Sequence, residues 1–503
     1  MNTESACFHQ LLPTVRLVLI LALFCAGCQF GLGAAAQRRP ADERPRLLVL
    51  SDYFKDPDDK QSMIRLLVYA NEFQIEGLVA TSLAYGDGSV RPDLMREQIA
   101  EYGQVLPMLR QHERAGHEYP SAEKLNNLVK AGAPVVRRGA PGRKGFPVPY
   151  PVGEFDSRAS DAAEQWIGER GDSEASQHII AVIDRDDPRP VWIVVWGGPM
   201  DLARAINKVR QERSAEEAMR FISRIRLCQN SWQDTGAVWL WKNVPELFFI
   251  QFRPLGAAMY LAGDPALRDG DWVRKHVSQG HGPLGAGYPP ANATGKRELR
   301  VKEGDSPTFL YLLSTLGLSS PEHPEWGSWG GRFRLIDGGG RRHYAPAEDD
   351  LPGTVDSRKR LQWTLARWQR AFASDFAARM DWCVKPREEA NHAPRAVVDG
   401  DGSAGIIQIV VRAGERLAFD AGGSGDPDGD RLRFRWWQYR EAGTFPGVVA
   451  LEGANSEKVQ LAAPEAEAGQ TVHLILEVTD EGEPSLTSYR RIVLTLSSSL
   501  AVD

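Results

Sequence analysis

The sequence predicts an α/β domain, a mostly parallel sheet with helices on both faces, followed by an all-β Ig-like sandwich. Two observations predict it. From Arg46 to residue 390, near-continuous apolar runs alternate with stretches of helical period, the pattern of strands buried on both faces. Beyond residue 400, short alternating runs take over, with turn residues about every ten positions. The chain has 503 residues, enough for two or three domains. Its hydrophobic share of 42% and charged share of 25% are those of a globular protein. Net charge is −6 and no long basic run occurs, so nucleic acid is not an expected partner.

Residues 1–36 read as an export signal. Arg16 precedes the apolar stretch Leu17–Phe24, too short to span a bilayer, and Ala34-Ala35-Ala36 offers a cleavage site. An alternative is the Cys25-Ala26-Gly27-Cys28 stretch, which resembles a lipoprotein box and would leave a lipid anchor on Cys28. Cys25 stands where that box carries an aliphatic residue. Either way the mature protein is expected outside the cytoplasm, with no membrane span. Residues 37–45 form a polar linker.

The α/β domain is placed at 46–390. Its strand candidates are Leu47–Leu50, Ile75–Thr81, Val191–Trp196, Ile225–Cys228 and Leu247–Phe252. Its helix candidates are Lys60–Glu72, Met95–Gln111, Ala122–Ala131, Met200–Glu212, Thr308–Leu316 and Arg358–Met380. Gly- and Pro-rich loops at 132–158 and 280–347 are predicted to form the mouth of a site. Residues 391–402 read as a linker, and 403–503 as the sandwich, with strands at Ile406–Val411, Leu417–Asp420, Leu432–Tyr439, Val472–Val478 and Arg490–Leu496. Outside the leader only Cys228 and Cys383 remain, either bridged or as two buried thiols.

The chemistry-bearing stretch lies where the first strand ends. Asp52, Asp56, Asp58 and Asp59 crowd into eight residues. Helix capping and dipole complementation account for one or two of them. Four would repel one another unless a cation neutralises them, and a hard cation with oxygen ligands, Ca²⁺ above all, removes the conflict.

Several stretches carry a resemblance. Ser51-Asp52, Asp58-Asp59, Ser62–Leu67 and Ile75–Thr81 are similar to the opening of the nucleoside-hydrolase-like domain of bacterial "cellulose-binding" proteins, relatives of the inosine–uridine nucleoside hydrolases. Further matches follow in order: Asp172–Ser176, Trp196–Ala203, Gln233-Asp234, His281–Gly285, Lys302–Leu310 and Trp329–Arg332. The resemblance implies a Ca²⁺ site in which Asp52 is metal ligand and general base, and Asp59 a further ligand. Asp305 would complete the coordination, and a backbone carbonyl near Met200 would supply another ligand. Asp58 would contact sugar hydroxyls. Leu50 departs from the hydrolase pattern, the Asp52–Asp58 interval is two residues longer, and Gly304 stands where some hydrolases place a histidine.

Asp172 and Glu174 are either helix caps or the rim of a substrate site. His281, in a Gly/Pro-rich loop, is a candidate leaving-group acid. Gln233 and Asp234 follow a strand and are candidate hydroxyl contacts. Trp326 and Trp329 are packing anchors or stacking faces. Asp426, Asp428 and Asp430 form a turn or a structural cation site. In the strand from Leu432, Phe434 and Trp436 share one face while Trp437 and Tyr439 share the other. One face must be core; the other is a sugar platform or an interface with the main domain. The run from Asp426 to Gly443 also resembles the C-terminal sandwich of the same family.

The expected function is Ca²⁺-dependent hydrolysis of a glycosidic or N-glycosidic bond on a sugar or nucleoside-like molecule. The alternative is a non-catalytic protein that binds a cellulose-like polysaccharide.

Overall fold

The apolar runs form the centre of one sheet in the computed structural model, which describes residues 44–53, 57–82, 89–134, 172–230, 234–292, 297–336 and 340–497. The stretch read as an export signal, Asp56, Gln233 and most of the 132–158 loop lie outside these residues. Among the described residues no helix is long and apolar enough to cross a membrane.

Strands β1 (Arg46–Ser51), β2 (Gln74–Ala80), β3 (Val129–Ala131), β4 (Val191–Val195), β5 (Ile225–Gln229) and β6 (Phe248–Gln251) pair in parallel. A small hairpin, β7 (Ala291–Asn292) and β8 (Arg297–Glu298), lies apart from the sheet. Strand β10 (His343–Pro346) adds to β6 in parallel, and β9 (Phe333–Leu335) closes that edge antiparallel. The sheet order is β3-β2-β1-β4-β5-β6-β10-β9. The chain therefore leaves β1 in one direction and returns to β1's other side with β4. That reversal is the topological switch point, beyond whose strand ends ligands bind in open α/β sheets.

Why the strands read as continuous apolar runs is visible in β1. Leu47 and Val49 belong to one core and Leu48 and Leu50 to the other, all fully buried. Helices α1 (Pro57–Val68) and α2 (Pro92–Leu109) cover the first face. Helix α3 (Ala122–Leu128) leads directly into β3. Helices α4 (Glu174–Ile183), α5 (Met200–Glu212), α6 (Ala215–Ser223) and α7 (Thr235–Asn243) cover the second face. Near the end of this part, α8 (Ser357–Ala366) and α9 (Gln369–Asp381) replace the single helix expected over 358–380. The stretch 122–131 likewise splits, because Val129 pairs with Leu78 as an edge strand. The helix expected over 308–316 is one turn, Pro307–Leu310, followed by a tight turn that ends at Gly317 with φ 73°.

The C-terminal part is two sheets around a core. One has the order β11-β16-β15-β13, from β11 (Ile407–Arg412), β13 (Leu432–Gln438), β15 (Thr471–Asp480) and β16 (Thr487–Ser497). The other pairs β12 (Arg416–Asp420) with β14 (Lys458–Ala462). Phe419, Trp436, Val459, Leu474 and Leu494 fill the space between them.

The stretch expected to be a linker, 391–402, is not an open tether. Asn391, His392 and Val397 are buried, and Ala396 and Val398 belong to the sandwich core. The apolar cluster on the first face of the sheet continues into the sandwich through Tyr439, Ile475 and Tyr489. Trp368 meets Trp437 at 5.8 Å and Tyr489 at 5.8 Å between ring centroids. The second aromatic face of β13 is thus the interface, not a sugar platform. Trp326 and Trp329 are packing anchors: Trp329 donates to the Tyr489 hydroxyl at 3.2 Å, and Trp326 stacks on His323. Cys228 and Cys383 are separate buried thiols, so the disulfide alternative is not realised. Burial pushes both thiols up.

Candidate metal centre

Helix α1 builds most of the site. Pro57 starts it, with its fixed φ and missing N–H suited to the first helical position, and Asp58 and Asp59 occupy the first turn. There the helix dipole favours negative charge. Asp59 is buried and accepts a hydrogen bond from the Ser51 hydroxyl at the end of β1. Met63, Ile64, Leu66 and Leu67 are buried along the same helix.

The same helix fixes the distant aspartate. Gln61 accepts the Lys302 N–H at 2.7 Å and donates to the Pro289 and Arg300 carbonyls at 2.8 and 2.9 Å. One turn on, Arg65 forms a fully buried pair with Glu303 and lies 3.8 Å from the centroid of Phe376. Glu303 also accepts from the Tyr288 hydroxyl at 2.7 Å and the Ser306 hydroxyl at 2.9 Å. Behind them Thr308 donates to the Asp305 carbonyl at 2.7 Å, and the Trp196 indole donates to Thr308 at 3.0 Å. Segment 300–308 is thereby clamped between α1 and the end of β4.

The outcome is that Asp58, Asp59 and Asp305 each bring one carboxylate oxygen within 4.8 Å of the others. Gly304 permits the approach, since a Cβ there would sit 3.0 Å from Asp58 Oδ2. Asp52, buried beyond β1, is held against Gly197, where a Cβ would fall 2.7 Å from its Oδ1. The Asn230 amide donates to Asp305 Oδ1 at 2.5 Å.

Electrostatics test whether a cation fits. Burial, then the Asp59 and Asp58 carboxylates, then Asp52, push the Asp305 carboxyl well above its ordinary range, while the Asn230 amide pulls the other way. Every charge in that set is negative. Three converging carboxylates with an amide nearby are an oxygen-rich donor set of the kind hard divalent cations take. The cluster is suited to hold a metal ion.

The remaining predicted residues fall into other settings. Asp234 caps α7 through the Gly236 N–H at 2.8 Å and also accepts the Met200 N–H at 3.1 Å, joining the starts of α7 and α5. Burial pushes it up to about 7. Met200 is the first residue of α5, so its carbonyl points along the helix rather than out of its N-terminus. That is a geometric departure from the expected metal-ligand carbonyl. Ser173, not Asp172 or Glu174, caps α4, through a capping box with Ser176. Asp172 is exposed and paired with Lys208. Glu174 accepts the Ala131 N–H at 3.0 Å at the end of β3 and lies 3.4 Å from Lys130. His281 is buried, with Nε2 3.1 Å from Asp381 Oδ1 at the end of α9. Its described contacts tie it to that helix, not to the carboxylate cluster. Asp426 closes a turn, accepting the Asp428 and Asp430 N–H groups.

Two contributors to the cluster, Asn230 and Ser51, were not anticipated, nor was a third buried group, Asp201, whose described contacts lie elsewhere. Asn230 sits one residue beyond β5, and the rule that ligands lie past strand carboxyl ends points to it. Ser51 is visible by the same rule. Asp201, on the first turn of α5, is buried and accepts from the Ser173 hydroxyl at 2.6 Å and the Ala133 N–H at 3.2 Å. Burial pushes its carboxyl up. No spacing in the sequence marks it.

A mostly parallel sheet with a carboxylate cluster at its switch point, drawn from the first helix and a far aspartate, defines a nucleoside-hydrolase-like α/β domain. Residues 46–333 match the family model described as "Cellulose-binding Sde182, nucleoside hydrolase-like domain". Residues 416–496 match "Cellulose-binding protein Sde0182, C-terminal domain". The chain belongs to this family. A solved structure of a nucleoside hydrolase-related hypothetical protein from Saccharophagus degradans, described as associated with carbohydrate metabolism, is 29% identical. The match covers 90% of this chain and 100% of that one, with a TM-score of 0.71. The effector protein XOO4466 is 14% identical over 66% of this chain and 95% of its own, at a TM-score of 0.32 that carries no argument. No curated protein matches the chain.

Proposed function

We propose that this chain is an exported carbohydrate-binding protein whose nucleoside-hydrolase-like site uses Ca²⁺ to capture the hydroxyls of a sugar. The observation that carries the reading is the convergence of Asp58, Asp59 and Asp305. The family description and the stated association of the Saccharophagus relative with carbohydrate metabolism agree with the ligand class. Asp58, Asp59 and Asp305 are the residues that would hold the ion; Asp52, the ligand expected from the sequence, is not one of the three and acts on Asp305 through its charge. Bound there, Ca²⁺ supplies a positive charge that binds hydroxyl oxygens and acidifies water. Asp58 would also accept a sugar hydroxyl, and Asn230, Gln61 and Arg65 would keep Asp305 in position.

The ligand enters by a chain end or as a short oligosaccharide. The exposed large hydrophobic side chains among the described residues are Met219, Leu261, Leu335, Val355, Val384, Val410 and Val448, none of them aromatic. A flat polysaccharide face therefore finds only partly exposed rings, such as Tyr260, Trp363 and Phe434, on the described surface.

A second reading, hydrolysis of a glycosidic or N-glycosidic bond, is favoured by the place of Asp52 at the end of β1. There it would take a proton from an attacking water. Isothermal titration with cello-oligosaccharides, in Ca²⁺ and in chelator, set beside a nucleoside-hydrolysis screen, tests both. Binding that needs Ca²⁺ and is lost in Asp305→Asn is expected. Affinity indifferent to chelator and to that substitution would overturn the proposal. Turnover that vanishes in Asp52→Asn would move the assignment to hydrolysis.

A further inference from the structure

Between the α/β layers and the sandwich lies a cleft of about 650 Å³, whose walls include no member of the carboxylate cluster. Junctions of this kind are preferred places for ligand sites. Trp382, Tyr489 and Leu316 give it apolar wall. Its floor holds a dense polar layer. Glu72 takes Arg114 and Arg379 at 2.8 Å each and His117 at 3.1 Å, and Asp375 takes Arg379 at 2.9 Å. Those two carboxylates are fully answered from within.

Three groups of the rim are not. Arg387 and Arg395 line the cleft and are exposed. Among the described residues neither has a carboxylate within ion-pair distance, whereas the other two arginines of the cleft, Arg114 and Arg379, do. Arg395 is seated rather than loose: its guanidinium lies over Gly402, where a Cβ would fall 2.4 Å from Nη2. The third group is Asp426. Its Oδ1 accepts two backbone N–H groups, at 2.8 and 3.1 Å, but its Oδ2 is buried and meets no donor among the described residues. A buried acceptor without a donor is costly and marks a place for a ligand hydroxyl.

The strand of chain that carries Arg395 is itself held. His392 places Nε2 2.9 Å from His112 Nδ1 and Nδ1 3.0 Å from Asp428 Oδ1. His112 Nε2 lies 3.0 Å from the Lys385 carbonyl. The relay crosses from the end of α2 to the sandwich and fixes the width of the cleft.

We infer that this cleft is a second ligand site, built for an acidic saccharide whose carboxylate lies between Arg387 and Arg395 and whose hydroxyl donates to Asp426. Two cations and one hydroxyl acceptor ask for a ligand that is both anionic and hydroxylated. Neutral cello-oligosaccharide lacks the first property, and inorganic sulfate lacks the second. Guanidinium–carboxylate pairs are the strong, directional contacts that would set the preference.

The test is isothermal titration of the full chain in chelator, which takes the metal centre out of play, with a galacturonic acid dimer, cellobiose and sodium sulfate as probes. The dimer is expected to bind, and the other two at least about tenfold more weakly. The exposed double substitution Arg387→Ala/Arg395→Ala should weaken the dimer by about tenfold or more, and Asp426→Asn should weaken it with sulfate unaffected. Asp305→Asn should change nothing here, which separates this site from the metal centre. Equal affinity for cellobiose, equal affinity for sulfate, no binding of the dimer, or an unaltered double variant would each overturn the inference.

Discussion

At the junction of the two parts, buried Glu72 meets Arg114 and Arg379, and buried Asp349 meets Arg332 at 2.6 Å, Arg367 at 2.8 Å and the Tyr439 hydroxyl at 2.6 Å. At the strand ends, buried Asp59 and Asp305 meet Asp58 and each other. Burial opposes ionisation in both places. At the junction Arg114, His117 and Arg379 overcome it and draw Glu72 well below its usual range. At the strand ends neighbouring carboxylates add to burial and drive Asp305 up. Buried carboxylates face cations where they hold the two parts together and face one another where they form the cluster. Charge balance, not burial, separates scaffold from site.

The largest expected effect breaks the matched side. Arg379→Ala takes the cation from buried Asp375 and leaves Glu72 with Arg114 and His117 alone, and should cost about 3–5 kcal/mol in urea unfolding. A loss below 1 kcal/mol would mean that the junction carboxylates are hydrated and that the contrast fails. Next comes the carboxylate cluster. Ca²⁺ at a hundredfold excess over its dissociation constant should stabilise the wild type by about 2.7 kcal/mol. Asp305→Asn, which replaces a carboxyl held well above its ordinary range by a neutral amide, should raise the melting midpoint of the chelated protein by on the order of 2–4 °C and cancel the Ca²⁺ response. A chelated variant that melts lower than wild type would show that the carboxylates do not strain the apo protein.

An intermediate effect concerns pH. Burial, partly offset by the Lys385 carbonyl and reinforced by His392 and Arg387, lowers His112 from 6.5 to about 4. His392 is lowered too, by burial, against the pull of Asp428. The unfolded chain binds these protons below pH 6.5 while the folded chain refuses them. Their contribution is therefore complete above that pH and is lost as pH falls from about 6.5 toward 4. His112→Asn should flatten the stability curve across this window, as read from denaturant midpoints at each pH. The smallest effect is at the surface: Lys208→Ala removes the exposed pair with Asp172 and should leave the melting midpoint unmoved. A clear drop would return Asp172 to the list of working residues.

How much of this was legible follows the same physics. Strands β1, β2, β4, β5 and β6 were readable because their side chains are buried on both faces and leave continuous apolar runs. The three-residue edge strand β3 was hidden in a helical pattern that α3 supplies. The acid crowding at Asp52–Asp59 was readable because repulsion in a short span is itself a signal. Asp305 came from the family resemblance alone, as its convergence depends on Gln61 and Arg65, whose clamp spans about 240 positions of sequence. The aromatic alternation at Phe434–Tyr439 showed that two faces were occupied. It did not show by what, since the partner Trp368 lies far back in the chain. The stretch 391–402 looked like a tether because Asn, Pro, Asp and Gly make turns, and nothing local reveals that turns can be buried.

The parallel pairing of β11 with β16 sets the first strand of the sandwich beside its last. Its sheet is closed only when the final strand arrives, and that strand also brings Tyr489 and Arg491 to the α/β side. Arg491, fully buried, ties down the Leu318 and Gly327 carbonyls at 2.5 and 3.0 Å. During synthesis the α/β part thus emerges with one wall missing until β16 completes both architectures at once. A nonsense mutation near the end should therefore be as damaging as one in the middle.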